Sequence, residues 1–262
     1  MRARVVAHTD RRRRALLRRG LWSGGELLVT VGVVLMLLVV HQLWWTNREA
    51  RQGAERKVQA LEREWGEPAG PSAAGSSGAQ AAGSSGAQAA GSPAKGTGRG
   101  ESRAVAVVRP ALSRAYAVLT IPRLSVRVPV AEGVSKSRVL NLGYVGHYPG
   151  TAQPGGAGNF ALAGHRNTHG EPFRHLDRLR HGDTVTVETK AAVYTYVVDR
   201  TLPQTSARDG GVIAPVPRST VRPSYGYDRP GYYLTLTTCT PEFTSRYRLV
   251  VWGKLASMRP RA

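Results

Sequence analysis

Residues 235–241 read TLTTCTP, and the run into them from Tyr232 alternates β-branched and aromatic residues as a half-buried strand does. Pro241 has no amide hydrogen for a ladder, so the strand stops there. Cys239, the one cysteine of the chain, therefore falls at a strand's C-terminal end, where a side chain leaves the sheet. Two other stretches can supply partners. Residues 160–170 (FALAGHRNTHG) form a short apolar run ending in His165, and residues 245–253 (SRYRLVVWG) form a strand with Arg248 near its start. A thiol, an imidazole and a guanidinium at three strand ends suffice for acyl transfer. The thiolate attacks a carbonyl, the imidazole hands a proton to the leaving amine, and the guanidinium holds the developing oxyanion. The residue types alone leave blander readings open. A lone Cys is commonly a small buried hydrophobe, a His before a turn is commonly a packing residue, and Arg248 is equally at home on a solvated strand.

The surrounding motifs resemble those of the sortases, the Cys transpeptidases of Gram-positive cell surfaces. TLTTC, followed by an Arg directly before an apolar strand (RLVVWG), is similar to the family's Cys and Arg motifs. AGH at 163–165 is similar to its His motif, and the order His, Cys, Arg agrees. Residues 141–170 look most like class E, the actinobacterial housekeeping-type branch. The resemblance covers about residues 115–256. It implies that Cys239 attacks a threonyl carbonyl inside a C-terminal sorting signal, with His165 as general acid and base. Arg248 is the implied oxyanion donor. Arg246 is the alternative, because on a strand it points to the same face. Thr238 is expected to help line the oxyanion site. Tyr148, in GHYPGT, is expected to read the substrate, with Leu-Ala-X-Thr-Gly signals preferred over Leu-Pro-X-Thr-Gly.

The implied partners are surface proteins bearing such a signal and a lipid II or peptidoglycan stem-peptide amine as acceptor. No cofactor and no metal are expected. His165 and His169 form an HxxxH pair, but no Cys or carboxylate cluster accompanies it. His147, His169, His175 and His181 are expected on the surface. Papain-like enzymes place Cys before His, and the Ser-His-Gly-Cys run of L,D-transpeptidases is absent. No Asp-Pro-aromatic lid precedes the barrel and no second span follows Leu255, which favours anchoring of single proteins over pilus polymerisation. A non-catalytic envelope-tethered binding domain is the reading from another class, and replacing Cys239 separates it from an enzyme.

The chain has 262 residues, 37 Lys and Arg against 17 Asp and Glu, and a formal net charge of +20. Nucleic acid is the first partner such a charge suggests. It is not favoured here, because the Arg are spread along the chain and no helix-turn-helix, zinc-finger or RNP pattern occurs. One Cys excludes an intramolecular disulfide.

Residues 1–20 form a basic tail with eight Arg and one Asp. The stretch 27–45 is 19 residues without a charge, close to the ~20 needed to cross a bilayer. Trp22 and Trp44–Trp45 flank it as interfacial belts do, and the Arg excess before it puts the N-terminus in the cytoplasm and the rest outside the cell membrane. A cleaved signal peptide is less favoured, since no small-residue cleavage site follows. The reading is therefore a transmembrane helix over 21–46 and a helical stalk over 47–65. Val58, Leu61 and Trp65 form a thin apolar stripe on that stalk, a weak self-association seam. Residues 66–103 carry a repeated AAGSSGAQ, too small to bury a core, and read as a flexible linker. As a coil it reaches roughly 30–35 Å, which would carry the domain away from the lipid.

The catalytic domain spans 104–262. Strands are expected at 116–121, 126–130, 159–164, 184–188, 193–201, 232–238 and 247–255, with short helices at 135–140 and 171–179. A turn-rich segment spans 143–158 and a long loop spans 202–231. About eight short strands with few helices argue an all-β, closed or nearly closed barrel, and the resemblance implies an eight-stranded sortase barrel. A loop of some 30 residues in a compact domain is often functional. This one leads into the Cys239 strand, and the resemblance makes it a wall of the substrate groove.

Overall fold

The structure, a computed structural model, describes residues 8–66 and 110–261. The repeat-bearing linker and the expected start of the domain at 104 lie outside the described residues. Eight strands form a closed barrel: β1 (Ala115–Ile121), β2 (Val126–Glu132), β3 (Val145–His147), β4 (Gly158–Ala163), β5 (Thr184–Thr189), β6 (Ala192–Ser206), β7 (Tyr232–Thr240) and β8 (Tyr247–Pro260). Around the barrel the order is β1-β2-β3-β4-β7-β8-β6-β5, with β5 pairing back onto β1. Closure leaves no open edge to template aggregation.

Two pairings are parallel, β2 with β3 and β4 with β7, and the rest are antiparallel. The β4–β7 pair matters most for function. Phe160 faces Leu234 and Ala163 faces Thr237 in its register, so both strands end at the same rim. Inside the barrel, Leu119, Ile121, Phe160, Leu162, Leu234 and Leu236 interdigitate with Tyr196 and Val251, all nearly or fully buried. Period-2 alternation then turns the odd residues of β7 outward. The outer face of β6, β7 and β8 has its own apolar layer, in which Val212 and Tyr227 cover Leu202, Tyr233, Val250 and Trp252. The expected long loop supplies that cover. It is shorter than expected, because β6 runs on to Ser206 and a 3₁₀ turn forms at Gly210–Ile213.

Other elements also differ from expectation. The helices expected at 135–140 and 171–179 are turns with short 3₁₀ segments, Leu140–Leu142 and Leu176–Arg178. β3 lies inside the stretch read as turns. Its last residue, His147, expected on the surface, is fully buried. The imidazole is satisfied there: Nδ1 is 2.6 Å from Glu132 Oε2 and 3.0 Å from the Tyr116 hydroxyl, and Nε2 is 3.0 Å from the Ala152 carbonyl. A buried polar ring is tolerated when every nitrogen has a partner.

Helix α1 (His8–Gly66) runs without a break through the expected span and stalk and through the tail from His8 on, residues 1–7 lying outside the described residues. From Gly24 on it is long and apolar enough to cross a membrane, and none of its apolar window is buried by protein. Beyond the apolar part the helix docks on the barrel. Ala50, Ala54, Val58 and Leu61, spaced four, four and three residues apart, are buried on one face. Val58 and Leu61 pack with Ala115, Val118, Ala131 and Val139, and Trp65 joins them. The stripe read as a self-association seam is thus covered by the chain's own barrel. Arg127 pairs with Glu62, and the Arg261 guanidinium lies 4.9 Å from the Trp65 ring centre. The barrel consequently sits beside the stalk, at the height of the helix segment it covers.

Candidate active site

The parallel register of β4 and β7 brings two of the expected residues together. Past Ala163–Thr237 the strands stay tied. Gly164 N–H donates to the Thr237 carbonyl at 3.1 Å, and Thr238 Oγ1 donates to the Gly164 carbonyl at 2.9 Å. One residue further along each chain are His165 and Cys239. On the other side, Cys239 faces Arg248 directly across the antiparallel β7–β8 pair. Directly opposed residues point to the same face, with Cβ atoms ~4.5–5.5 Å apart. That face is the outer one, shared with Thr237 and Val250, at the rim where the cover from 207–231 ends. Cys239 is half-buried there and has no disulfide partner.

Arg248 and Arg246 are distinguished by this register. Arg248 belongs to β8, and its Nη1 donates to the carbonyls of Ser245 and Tyr247, each at 2.9 Å. Those bonds hold the guanidinium against the β7–β8 turn. Arg246 precedes the strand, is exposed, and stacks its guanidinium over the Tyr247 ring at 5.2 Å.

His165 is half-buried. Its Nε2 lies 2.9 Å from Asn141 Oδ1. An amide oxygen only accepts, so Nε2 carries the hydrogen and Nδ1 is the free basic atom. The His169 ring stacks on it at 5.2 Å between centres. Burial first, then His169 and Lys136, pull its pKa down from 6.5 to about 4. The imidazole is therefore neutral at pH 7. Gly164 shapes this loop, because a Cβ there would fall 2.6 Å from the Phe173 ring. The glycine of the AGH run lets the loop turn tightly over Phe173.

Thr238 is placed differently from its expected role. Its side chain points away from the Cys239 face, is 2% exposed, and is committed to Gly164. Only its backbone borders the thiol. Tyr148 lies beside the Cys239 face. Its N–H donates to the Ala161 carbonyl at 2.9 Å, and its hydroxyl is 3.0 Å from Thr237 Oγ1, two residues before Cys239. His169 is part of the imidazole's surroundings, whereas His175 and His181 are not.

Three residues at the site escaped the sequence reading. Asn141 fixes the imidazole tautomer. Thr237 links Tyr148 to β7 and donates to the Leu162 carbonyl at 3.1 Å. Arg166, 7% exposed, donates to the Cys239 carbonyl at 3.3 Å and to Thr240 Oγ1 at 3.1 Å, and it pairs with Asp177 at 3.4 Å. Arg166 places a guanidinium against the backbone of the thiol residue. Its adjacency to His165 was visible in the sequence, but its partner 73 residues away was not. Among the described residues no group of three or more His, Cys, Asp or Glu could hold a metal ion.

A closed barrel with Cys, His and Arg at one rim defines a class. The sortase-domain family model matches residues 119–256, and the chain belongs to the sortase family. Within it, the chain is 41% identical over 243 residues to Sortase SrtE1 of Streptomyces coelicolor and 33% identical over 236 residues to Sortase SrtE2 of the same organism. The first alignment covers 91% of this chain and 58% of SrtE1, so the chain spans well under two thirds of that relative. The second covers 88% of this chain and 80% of SrtE2. The crystal structure of Sortase E1 from Streptomyces coelicolor, which carries a tripeptide in its active site, superposes with a TM-score of 0.54 at 51% identity, covering 57% of this chain and 92% of that one. Sortase E from Streptomyces avermitilis gives 0.51 at 44%, covering 58% and 93%. The relatives are class E sortases.

Proposed function

We propose that this chain is a membrane-anchored class E transpeptidase. It cleaves a Leu-Ala-X-Thr-Gly-like or Leu-Pro-X-Thr-Gly-like C-terminal signal between Thr and Gly, and joins the new threonyl end to a peptidoglycan-precursor amine. The observation that carries this reading is the three-strand juxtaposition of His165, Cys239 and Arg248 at one rim.

A neutral imidazole suits the first step. Nδ1 of His165 takes the thiol proton as Sγ of Cys239 attacks the threonyl carbonyl. The carbonyl oxygen becomes an oxyanion, which the Arg248 guanidinium stabilises. The C–N bond then breaks. The imidazolium returns its proton to the leaving glycyl amine, and a thioester remains on Cys239. An acceptor amine attacks the thioester and gives its proton to His165. The thiolate leaves, the new amide is released, and the imidazolium reprotonates Sγ. Tyr148, beside Thr237 on the same face, contacts the residue before X and favours Ala there. Residues 27–45 of α1 span the membrane with the N-terminus inside, and the barrel lies outside.

The test is to supply the full chain in detergent with Leu-Ala-X-Thr-Gly and Leu-Pro-X-Thr-Gly peptides and an amine. Threonyl-amine product, with the Ala peptide preferred, supports the reading. No product from either peptide, with a folded protein and a titratable thiol, counts against it.

A further inference from the structure

Helix α1 touches the barrel where the His165 loop lies. Asn47 and Arg51 hold Gly170 through its N–H and its carbonyl. Gly170 N–H donates to Asn47 Oδ1 at 3.2 Å, and Arg51 Nε donates to the Gly170 carbonyl at 3.1 Å. The same two residues hold the next side chain. Asn47 Nδ2 donates to Glu171 Oε1 at 2.8 Å, and Arg51 Nη2 donates to Glu171 Oε2 at 3.0 Å. Glu171 is 8% exposed and also accepts from Arg174 Nη1 at 2.7 Å. Two residues on, Phe173 N–H donates to the His165 carbonyl at 3.0 Å. The helix is thus two short links from the imidazole's own peptide.

The backbone at the grip is strained. His169 and Glu171 have φ of 52° and 54°, with Gly170 between them at 84°. Non-glycine residues are disfavoured in the left-handed region and persist there where neighbours over-determine them. The grip by Asn47, Arg51 and Arg174 is that over-determination. A second contact reaches the turn that carries the imidazole's hydrogen-bond partner. The Ala50 carbonyl fills the space beside Gly143, where a Cβ would lie 2.7 Å from it. Gly143 closes the 3₁₀ turn that holds Asn141, the hydrogen-bond partner of His165. Beside the two contacts an open cleft of about 320 Å³ is lined by Glu49, Ala50 and Gly53 of the helix and by Asn141, Tyr144 and His169 of the barrel.

We propose that residues 47–54 of α1, above all Asn47 and Arg51, are positioning residues for His165, so that the extramembrane end of the membrane helix is a working part of the active site. This rests on the catalytic reading of His165. The helix holds both the 169–171 loop, whose His169 stacks on the imidazole, and the turn that carries Asn141, and it forms one wall of the cleft beside them. A barrel freed from α1 would lose the helix wall of this cleft and expose His169 and Asn141 further. The burial that lowers the His165 pKa would then weaken.

The experiment uses the full chain in detergent micelles, with histidine rings labelled for NMR. The His165 titration midpoint is read in the wild type, in Asn47→Ala/Arg51→Ala, in Arg51→Lys, and in Glu62→Ala, which loosens the helix at its far end, at Arg127. The double variant is expected to raise the midpoint by a unit or more toward 6.5. It should lower kcat for signal-peptide transfer at least about fivefold, with donor KM changed less than about twofold. Arg51→Lys keeps the charge beside Glu171 but not the paired bonds to Glu171 and the Gly170 carbonyl, and should fall between the wild type and the double variant, while Glu62→Ala should stay near the wild type. An unmoved midpoint in the double variant overturns the proposal. So does an equal shift in Glu62→Ala, which would mean general loosening. The NMR reading stands even if no peptide is turned over, so its outcome is separate from the fate of the transpeptidase reading.

Discussion

Replacing Thr238 with Val deletes one hydroxyl and keeps the side-chain shape. That hydroxyl donates to the Gly164 carbonyl at 2.9 Å, and both residues are buried. Leaving a buried acceptor without its donor costs about 1–3 kcal/mol. For a domain of this size that lowers Tm by about 2–4 °C per kcal/mol, hence by roughly 2–12 °C. The bond also joins the residue before His165 to the residue before Cys239. Its loss loosens the imidazole relative to the thiol, and a misplacement near 1 Å costs up to ~10²-fold in rate. Since the side chain turns away from the Cys239 face, the substrate does not feel it directly. The expected result is a kcat reduced at least about tenfold, with KM for the signal peptide nearly unchanged, and recovery of most of the loss in Thr238→Ser. Thermal melts and peptide-cleavage kinetics on the three proteins provide the check. An unchanged Tm and kcat in Thr238→Val would mean that this hydroxyl does not tie the His165 and Cys239 strand ends together. A rise confined to KM would instead return Thr238 to the substrate-lining role its sequence position suggested.

Cys239→Ala should abolish transfer while leaving Tm within about 2 °C, because the thiol is half-buried at the rim; calorimetry and product analysis check both. Arg248→Lys should lower kcat by about 10²-fold through loss of a fixed oxyanion donor, while Arg246→Ala, exposed on the turn, should stay within about threefold; steady-state kinetics separate the two. The acid limb of kcat/KM should lie well below 6.5, because the folded His165 keeps a neutral imidazole down to about 4. Stability follows the same linkage. Between 6.5 and 4 the unfolded chain binds the proton that the folded one refuses, so stability falls as pH drops through that window, and His165→Gln should flatten the fall in urea midpoints. Tyr148→Phe removes the hydroxyl 3.0 Å from Thr237 and should narrow the Ala-over-Pro preference, measured with the two peptides in competition.

The parts of this fold written in local periodicity were legible in the sequence. The Tyr232 strand, its stop before Pro241 and the strand carrying Arg248 follow from alternation and proline chemistry. What joins them is not local. Gly164 and Thr238 are 74 residues apart, and only the parallel β4–β7 register brings their neighbours together. Family motifs supplied the link that spacing alone did not. The docking of α1 was hidden for another reason. Ala50 and Ala54 are too small to mark a stripe among charged residues, yet their size is what lets the helix backbone reach Gly143. His147 was misread because burial of an imidazole depends on partners such as Glu132, fifteen residues upstream and on another strand. Arg166 and Asn141 were missed on the same ground, since each matters through a hydrogen bond across the fold.

Transpeptidation through a thioester requires that a sorting signal acylate Cys239. The most direct measurement is the mass of the full chain, quenched in acid during turnover of a Leu-Ala-X-Thr-Gly peptide and mapped by proteolysis. The expected adduct has the mass of the peptide up to its Thr less one water, lies on the fragment containing Cys239 and is lost on treatment with hydroxylamine. A protein that releases the glycyl product with no adduct on that fragment, or that cleaves the peptide equally well as Cys239→Ala, would contradict this acylation.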